Sequence, residues 1–174
     1  MHETTHLSCA CGAFAVELAG TPFVTAECHC NSCREAATRL QALPAAFPVQ
    51  AANHGTPYAL YRKDRVRFPD GTAGLRAIRL SPQAPTRRVL TRCCNSPVFL
   101  EFQGGHWLSL YASLWPETIR PPMSIRTMTS DLPDATRLDD TLPAGKAVTA
   151  RFYFRLLAAW IAMGFKSPRI DVPD

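Results

Sequence analysis

The chain has 174 residues, of which 47% are apolar and 19% charged. This composition is typical of one globular domain with its own hydrophobic core and excludes a disordered chain. The formal charge of +5 would suit an acidic partner, but cysteines that bind zinc as thiolates would cancel much of it, so charge alone does not indicate nucleic-acid binding.

The start of the chain carries no Lys or Arg before its first apolar stretch, and Glu17 interrupts that stretch. A secretory signal is therefore not expected, and we predict a cytoplasmic, reducing location. Seven cysteines in such a compartment indicate metal ligands rather than disulfides. No apolar run of 18 residues is present, so neither a membrane-spanning helix nor a membrane partner is expected.

The first third of the chain alternates apolar and polar residues, which predicts strands over 14–18 and 23–28 with a turn between them. Asn31 or Ser32 would cap a short helix over 34–40. The Ala- and Pro-rich residues 42–52 are typical of a loop.

Short strand patterns and dense turns continue and indicate a mainly β domain. The further predicted strands cover residues 58–61, 66–68, 75–80, 88–92, 98–102 and 107–111. Residues 115–146 are irregular, which favours a segment that wraps the core or covers a site. We predict a single domain over 1–174, with a cysteine-rich β core at 7–130 and a C-terminal wrap and helix at 131–174.

The C-terminal helix is predicted over residues 149–165, with Phe152, Leu156, Trp160 and Met163 on one stripe. Such a stripe favours a helix docked on the core. A membrane-surface or partner-binding role of the same helix is the open alternative.

The first cysteine pair is Cys9-Ala10-Cys11-Gly12. Residues two apart in an extended segment point to the same side, so both sulfurs can reach one ion where the chain bends. Gly12 readily adopts positive φ at such a bend. We therefore predict Cys9 and Cys11 as zinc ligands, at the usual zinc–sulfur distance of about 2.3 Å.

A second tight turn is expected much later, at Cys93-Cys94-Asn95-Ser96-Pro97. Asn95 takes the place of Gly12, and Asn is the commonest residue besides Gly at positive φ. Pairing the two turns would build a closed four-thiolate site, which is the structural type. Neighbouring cysteines on a strand point to opposite faces, so Cys94 is the favoured ligand. The fourth ligand is left open among Cys93, Thr91, His6 and a water.

The middle element, Cys28-His29-Cys30-Asn31-Ser32-Cys33, packs three thiols into six residues. They lie between a strand end and a helix start, where backbone N–H groups favour thiolates. Three protein ligands leave one position of zinc free, which is the layout of a catalytic site, and three thiolates favour binding an incoming thiolate over activating water. A second structural zinc, with its fourth ligand from elsewhere, is the alternative. His29 is predicted to point away from the metal, behind the ligands or on the surface.

The three elements in this order resemble the family of glutathione-dependent formaldehyde-activating enzymes and centromere protein V, whose pattern is C-x-C-G, C-x-C-x-x-C and C-x-x-C-G. The first two elements match in full over the residues quoted above. In the third, Asn95 replaces Gly, Thr91 stands at the earlier cysteine and Cys93 lies next to Cys94. The resemblance covers residues 7–130.

The resemblance implies a mainly β fold of small coiled sheets, the Mss4-like fold, with a short helix after Cys33 and a C-terminal helix. It implies a structural zinc between the first and third elements, held by Cys9, Cys11 and Cys94 with Cys93 as a displaced fourth ligand. It also implies a more exposed, labile zinc at the middle element, where Cys28, Cys30 and Cys33 would be the catalytic residues. The implied reaction is of the carbon–sulfur lyase type, in which glutathione adds to formaldehyde to give S-hydroxymethylglutathione. Glutathione or a related thiol adduct would be the partner, and whether this chain is an enzyme stays open.

Two other functions stay open. A zinc-stabilised nucleic-acid or protein-binding module would use two basic groups, although we expect ordinary solvated strand faces and no nucleic-acid partner. The basic groups are Arg62, Lys63, Arg65 and Arg67, with Arg65 and Arg67 on one strand face, and Arg87, Arg88 and Arg92. A redox or zinc-storage protein would lose metal from the middle element on oxidation.

The remaining polar residues give only weak indications of a functional role. His54 and His106 are predicted as surface or core residues rather than ligands. Asp131 and Asp134 lie in the long late segment, which could fold over the middle element.

Overall fold

The computed structural model describes residues 3–44, 48–133 and 138–173. These residues form a mainly β fold of two sheets with two α-helices, as predicted. The strands are β1 (Thr4–Ser8), β2 (Ala15–Ala19), β3 (Val24–Cys28), β4 (Thr56–Arg62), β5 (Val66–Arg67), β6 (Leu75–Ile78), β7 (Thr86–Thr91), β8 (Pro97–Phe102), β9 (Trp107–Tyr111) and β10 (Ile125–Thr127). The helices are α1 (Asn31–Gln41) and α2 (Lys146–Ala162).

The strands form a small sheet in the order β1-β2-β5 and a larger sheet in the order β10-β3-β4-β9-β8-β7-β6. Neighbouring strands are antiparallel, except that β10 runs parallel to β3. In this register Cys28, the last residue of β3, lies opposite Thr56 on one side and Thr127 on the other. The segment that contains β10 is thereby held beside the middle cysteines.

Two buried apolar clusters hold these layers together. The first joins the two sheets and includes Leu18, Phe99 and Leu110, with Cys9 at its edge. The second lies between the large sheet and the helices and includes Leu40 and Leu156. Burial of such side chains stabilises the fold by about 1.5–3 kcal/mol each.

Helix α1 begins at Asn31, which is earlier than a helix capped by Asn31 or by Ser32 could begin. Cys30 is the N-cap, with extended backbone, and its Sγ accepts a hydrogen bond from the Cys33 N–H at 3.3 Å. The prediction of Asn31 or Ser32 as the cap is therefore wrong. The sulfur takes the position that a hydroxyl or carboxylate oxygen usually takes.

Other differences from the sequence prediction are local. Strands β1 and β10 were not predicted, and α2 begins at Lys146 rather than at residue 149. Arg65 lies in a short 3₁₀ helix, Lys63–Arg65, so the expectation that Arg65 and Arg67 alternate along one strand is wrong. Within the described ranges, no helix has the length and apolarity that crossing a membrane requires.

Candidate metal centres

Four cysteine sulfurs from the two ends of the β core converge on one point. The Sγ atoms of Cys9, Cys11, Cys93 and Cys94 all lie within 4.8 Å of one another. Cys9 Sγ is 3.5 Å from Cys11 Sγ and 3.6 Å from Cys93 Sγ, and the sulfurs of Cys93 and Cys94 are 3.8 Å apart. Sulfurs at the corners of a zinc tetrahedron are about 3.8 Å apart when each zinc–sulfur bond is about 2.3 Å. The donor set thus fits a zinc ion, and we call it the four-cysteine centre.

Two turns position these sulfurs. In the first, the Gly12 N–H donates to the Cys9 carbonyl at 2.9 Å, and Gly12 has φ of 77°. In the second, Asn95 has φ of 55° and its N–H donates to the Thr91 carbonyl at 3.1 Å. Both residues predicted to adopt positive φ therefore do so.

The difficulty raised by two neighbouring cysteines does not arise, because residues 92–94 lie in a turn rather than on a strand. Thr91 fixes this turn, since its Oγ1 accepts from the Ser96 N–H at 3.0 Å. The side chains of Cys93 and Cys94 can then both face Cys9. Thr91 Oγ1 lies 3.4 Å from Cys94 Sγ, while His6 faces Glu17 at 3.6 Å. The geometry thus brings the Cys93 sulfur within 4.8 Å of the other three sulfurs, whereas His6 is not part of this group.

The thiols of this centre differ in their tendency to ionise. Burial and hydrogen bonds with Cys11 and Cys93 raise the pKa of Cys9 to about 12. Burial also opposes ionisation of Cys94, but hydrogen bonds from Ser96 and Thr91 outweigh it and lower its pKa to about 5. A metal ion that binds here displaces the proton of Cys9 and meets a thiolate at Cys94.

The second group of sulfurs lies at the junction of β3 and α1. The Sγ atoms of Cys28, Cys30 and Cys33 lie within 4.8 Å of one another, and we call them the three-cysteine centre. Hydrogen bonds from Cys28 and Cys33 lower the pKa of Cys30 to about 2, and the interaction with Cys30 raises that of Cys28 to about 11. Among the described residues no His, Asp or Glu joins the group. Three thiols with no fourth His, Cys, Asp or Glu donor among the described residues fit a metal ion that keeps one position for another ligand.

Two side chains from the large sheet border the three-cysteine centre. The hydroxyl of Tyr58, on β4, lies 3.7 Å from Cys33 Sγ. The guanidinium of Arg88, on β7, is fully buried and donates to the carbonyl and hydroxyl of Ser32 at 3.1 and 2.6 Å. Its positive charge favours the Cys30 thiolate. Spacing in the sequence could not identify Tyr58, and Arg88 was predicted only as one member of a basic group.

The late segment lies against the start of α1. The carboxylate of Asp131 accepts from the Asn31 N–H at 3.2 Å, and its carbonyl accepts from Arg34 at 2.9 Å. The Arg34 guanidinium also donates to the His29 carbonyl at 2.7 Å. Asp131 thus contacts the middle element, which is a possibility that the sequence left open. Asp134 lies outside the described residues.

His29 is neither on the surface nor beside the metal ligands. Its side chain is fully buried, and its Nε2 donates to the Glu27 carboxylate at 2.9 Å. The same Glu27 oxygen accepts from Arg126 at 2.9 Å and from Asn53 at 2.8 Å. Burial raises the pKa of Glu27, but these hydrogen bonds prevail and hold it below its usual range. Gly55 packs so closely that a Cβ there would lie 2.3 Å from the Glu27 side chain.

Several basic residues that suggested a nucleic-acid face are engaged within the protein. Lys63 and Arg87 both contact the buried Glu101 at 2.6 Å, and Arg62 pairs with Asp64. Arg88 is buried as described above, and Arg92 donates to the Leu75 carbonyl at 2.9 Å.

The remaining histidines follow their predictions. His106 is a buried core residue whose Nε2 donates to the Leu156 carbonyl at 2.8 Å. His54 lies in the loop before β4, with φ of 63°. Neither belongs to a group of potential metal ligands.

The resemblance implies a more exposed zinc at the middle element, although its thiols are not the more exposed ones. Cys11 and Cys93 of the four-cysteine centre are exposed, whereas Cys28 and Cys30 are half-buried and Cys33 is buried. The N-cap geometry of Cys30 and the contacts from the large sheet provide this shielding.

The chain is similar to a known protein family over most of its length. The family model described as glutathione-dependent formaldehyde-activating enzyme matches residues 4–128. No curated protein matches the chain. A solved structure of a Rhodobacter sphaeroides protein from a structural-genomics programme is similar to it, with 16% identity and a TM-score of 0.46 over 67% of this chain and 92% of the other. Because the family model covers well over half of the chain, the protein belongs to the glutathione-dependent formaldehyde-activating enzyme family.

Proposed function

We propose that the chain binds two zinc ions, a structural one at the four-cysteine centre and a reactive, labile one at the three-cysteine centre. The reactive zinc would take the thiolate of glutathione or a related thiol adduct in its free position. The observation that carries this proposal is the group of three sulfurs within 4.8 Å of one another, with no fourth donor among the described His, Cys, Asp and Glu side chains. Family membership supports zinc as the metal.

The proposed reaction is the addition of a thiol to formaldehyde, which is chemistry of the carbon–sulfur lyase type. A bond forms between the thiol sulfur and the aldehyde carbon, and the thiol proton is transferred overall to the aldehyde oxygen, which gives an S-hydroxymethyl thioether. A zinc ion held by Cys28, Cys30 and Cys33 would supply a Lewis acid that keeps the incoming thiol ionised at neutral pH.

The surrounding residues favour an anionic ligand such as a thiolate at this centre. Three thiolates and one zinc ion carry a net charge of about −1, and the buried Arg88 is the cation that interacts with this group. Tyr58 lies beside Cys33 and presents a hydroxyl at the centre. Burial raises its pKa well above the usual range, so this hydroxyl keeps its proton and stays a hydrogen-bond donor.

Titration calorimetry of glutathione into the zinc-loaded chain tests the proposal. We expect binding to the wild type, at least about tenfold weaker binding to Cys30→Ser, and none of S-methylglutathione, whose sulfur cannot ionise. Zinc content and circular dichroism would show that Cys30→Ser keeps its fold and its other zinc. Absence of glutathione binding, or equal affinity in the variant, would refute a thiol site at the three-cysteine centre.

A further inference from the structure

Helix α2 is apolar on two opposite faces. Its inner face is fixed to the body of the protein, because Leu156, Ala159 and Met163 are buried. His106 donates to the Leu156 carbonyl at 2.8 Å, and the Trp160 ring stacks on the His106 ring with centroids 5.8 Å apart. The other face of α2 must therefore point outward.

That outward face carries most of the large apolar side chains that are exposed among the described residues. Phe154 is 71% exposed, and Phe154, Leu157 and Ile161 follow the spacing of one helix side. Only Phe102 and Ile119 are comparably exposed elsewhere among the described residues. We call the exposed Tyr153, Phe154, Leu157 and Ile161 of α2, together with Phe165 just after its end, the outer stripe. A contiguous apolar stripe on a protein surface marks an interaction site, whereas single exposed apolar residues are common and need no explanation.

The segment that carries the outer stripe is positively charged. Lys146, Arg151, Arg155 and Lys166 are exposed, and the sequence has no Asp or Glu from residue 141 to residue 170. Within the described ranges none of these four cations forms an ion pair. Exposed cations and exposed apolar side chains thus share α2 and the residues just after it.

We propose that the outer stripe docks on the surface of an anionic lipid bilayer, with α2 lying in the plane of the interface. An apolar helix face flanked by Lys and Arg is the pattern of interfacial helices. Each cation near an anionic surface adds favourable electrostatic free energy, and the apolar side chains add the free energy of their burial. The sequence had left a membrane-surface role of this helix open, and the observed burial of its inner face selects which residues would face the lipid. This inference does not depend on the proposed zinc chemistry.

A second copy of the chain is a poorer occupant of the same face. The exposed fractions of the five side chains correspond to an area on the order of 500 Å², whereas a stable interface buries about 800 Å² on each partner. Two copies that met through this face would also bring the same uncompensated cations together, which opposes association. A bilayer requires no matching shape and supplies the opposite charge.

Vesicle sedimentation with the zinc-loaded full chain tests the proposal. The lipids would be phosphatidylcholine alone and phosphatidylcholine mixed with phosphatidylglycerol. We expect binding to the mixed vesicles that falls with added salt, and much weaker binding to phosphatidylcholine. Phe154→Ser with Leu157→Ser should reduce binding at least about tenfold. Arg151→Glu with Arg155→Glu should reduce it by a similar factor. Both pairs are exposed, so the fold should tolerate these substitutions.

The control is Ile119→Ser, which removes an apolar side chain that is 56% exposed but lies outside α2. It should bind vesicles as the wild type does. The proposal is overturned if the wild type does not sediment with the mixed vesicles, or if the α2 variants bind as well as Ile119→Ser. It is also overturned if analytical ultracentrifugation shows a dimer that Phe154→Ser with Leu157→Ser dissociates, because the occupant is then a second copy. Selective capture of an acidic partner protein without any vesicle binding would overturn it as well.

Discussion

The four-cysteine and three-cysteine centres use the same ligand chemistry but differ in how the chain builds them. The first collects sulfurs from residues 9–11 and 93–94 and leaves two of them exposed. The second takes all three from residues 28–33 and shields them with Tyr58 and Arg88. Donor number, rather than solvent exposure, therefore separates the closed centre from the open one. The more exposed centre is the one with a complete set of ligands.

The separation of the ligands along the chain has an energetic consequence. Cys28, Cys30 and Cys33 are close in any conformation of the chain, so they can bind zinc even when the protein is unfolded. Metal that binds the unfolded state adds little to stability. The ligands of the four-cysteine centre meet only in the folded protein, so the free energy of zinc binding there is free energy of folding.

The largest expected effect follows from this difference. Cys9→Ser should lower the free energy of unfolding by at least about 3 kcal/mol in the presence of zinc, because it removes a buried ligand of the four-cysteine centre. Cys30→Ser should lower the free energy of unfolding by much less. Urea denaturation of both variants with matched zinc measures the two values. Equal losses of stability would show that the two centres do not differ in their contribution to folding.

Removal of metal should also distinguish the centres. We expect a chelator to take zinc from the three-cysteine centre at least about tenfold faster, because an open position admits the competing ligand. Release followed with a colorimetric chelator should show two phases. Cys33→Ser should remove the fast phase, and Cys11→Ser should remove the slow one. A single phase, or loss of the slow phase in Cys33→Ser, would contradict this assignment.

A smaller effect is expected at Arg88. Arg88→Met removes the buried cation near Cys30 and should weaken zinc at the three-cysteine centre about tenfold, since the charge of three thiolates is then less compensated. Arg88→Lys keeps the charge and should recover part of the affinity. Competition with a fluorescent zinc indicator gives both affinities. The four-cysteine centre should be unaffected, and equal weakening of both centres would indicate general unfolding instead.

The smallest effect concerns acid, which protonates thiolates at both centres and also acts on the core between β9 and α2. Burial lowers the pKa of His106 below its usual value. The unfolded chain therefore takes up this proton first, and stability is lost as the pH falls below about 6.5. His106→Gln, which can still donate to Leu156, should show a shallower decline in melting temperature between about pH 7 and pH 5.5. Identical slopes would assign all the acid sensitivity to other groups, including the metal centres.

Much of the fold could be predicted from local sequence patterns. The parts that could not be predicted depend on contacts between residues that are distant in the sequence. Alternation correctly indicated the strands from β2 to β9, and Gly12 and Asn95 adopt the predicted positive φ. Strand β10 has only three residues and extends the sheet because β3 offers it an edge. No sequence pattern within residues 115–146 could predict that this segment pairs with β3.

The two centres show the same division between local and distant information. Convergence of Cys28, Cys30 and Cys33 is dictated by their spacing around a helix start. The arrangement of Cys93 and Cys94 depends on a turn that the Thr91 hydroxyl fixes, and it could not be inferred from two adjacent letters. The shielding of the three-cysteine centre by Tyr58 and Arg88 comes from two strands of the large sheet, so it required the assembled fold.

The short span of the three-cysteine centre also bears on how the protein is made. Its last ligand, Cys33, precedes Cys93 by about 60 residues, which a ribosome adds in roughly 3–12 s at about 5–20 residues per second. During that interval the nascent chain already holds one complete set of three zinc ligands and only half of the other. Metal can therefore enter the three-cysteine centre during translation, several seconds before the four-cysteine centre can form.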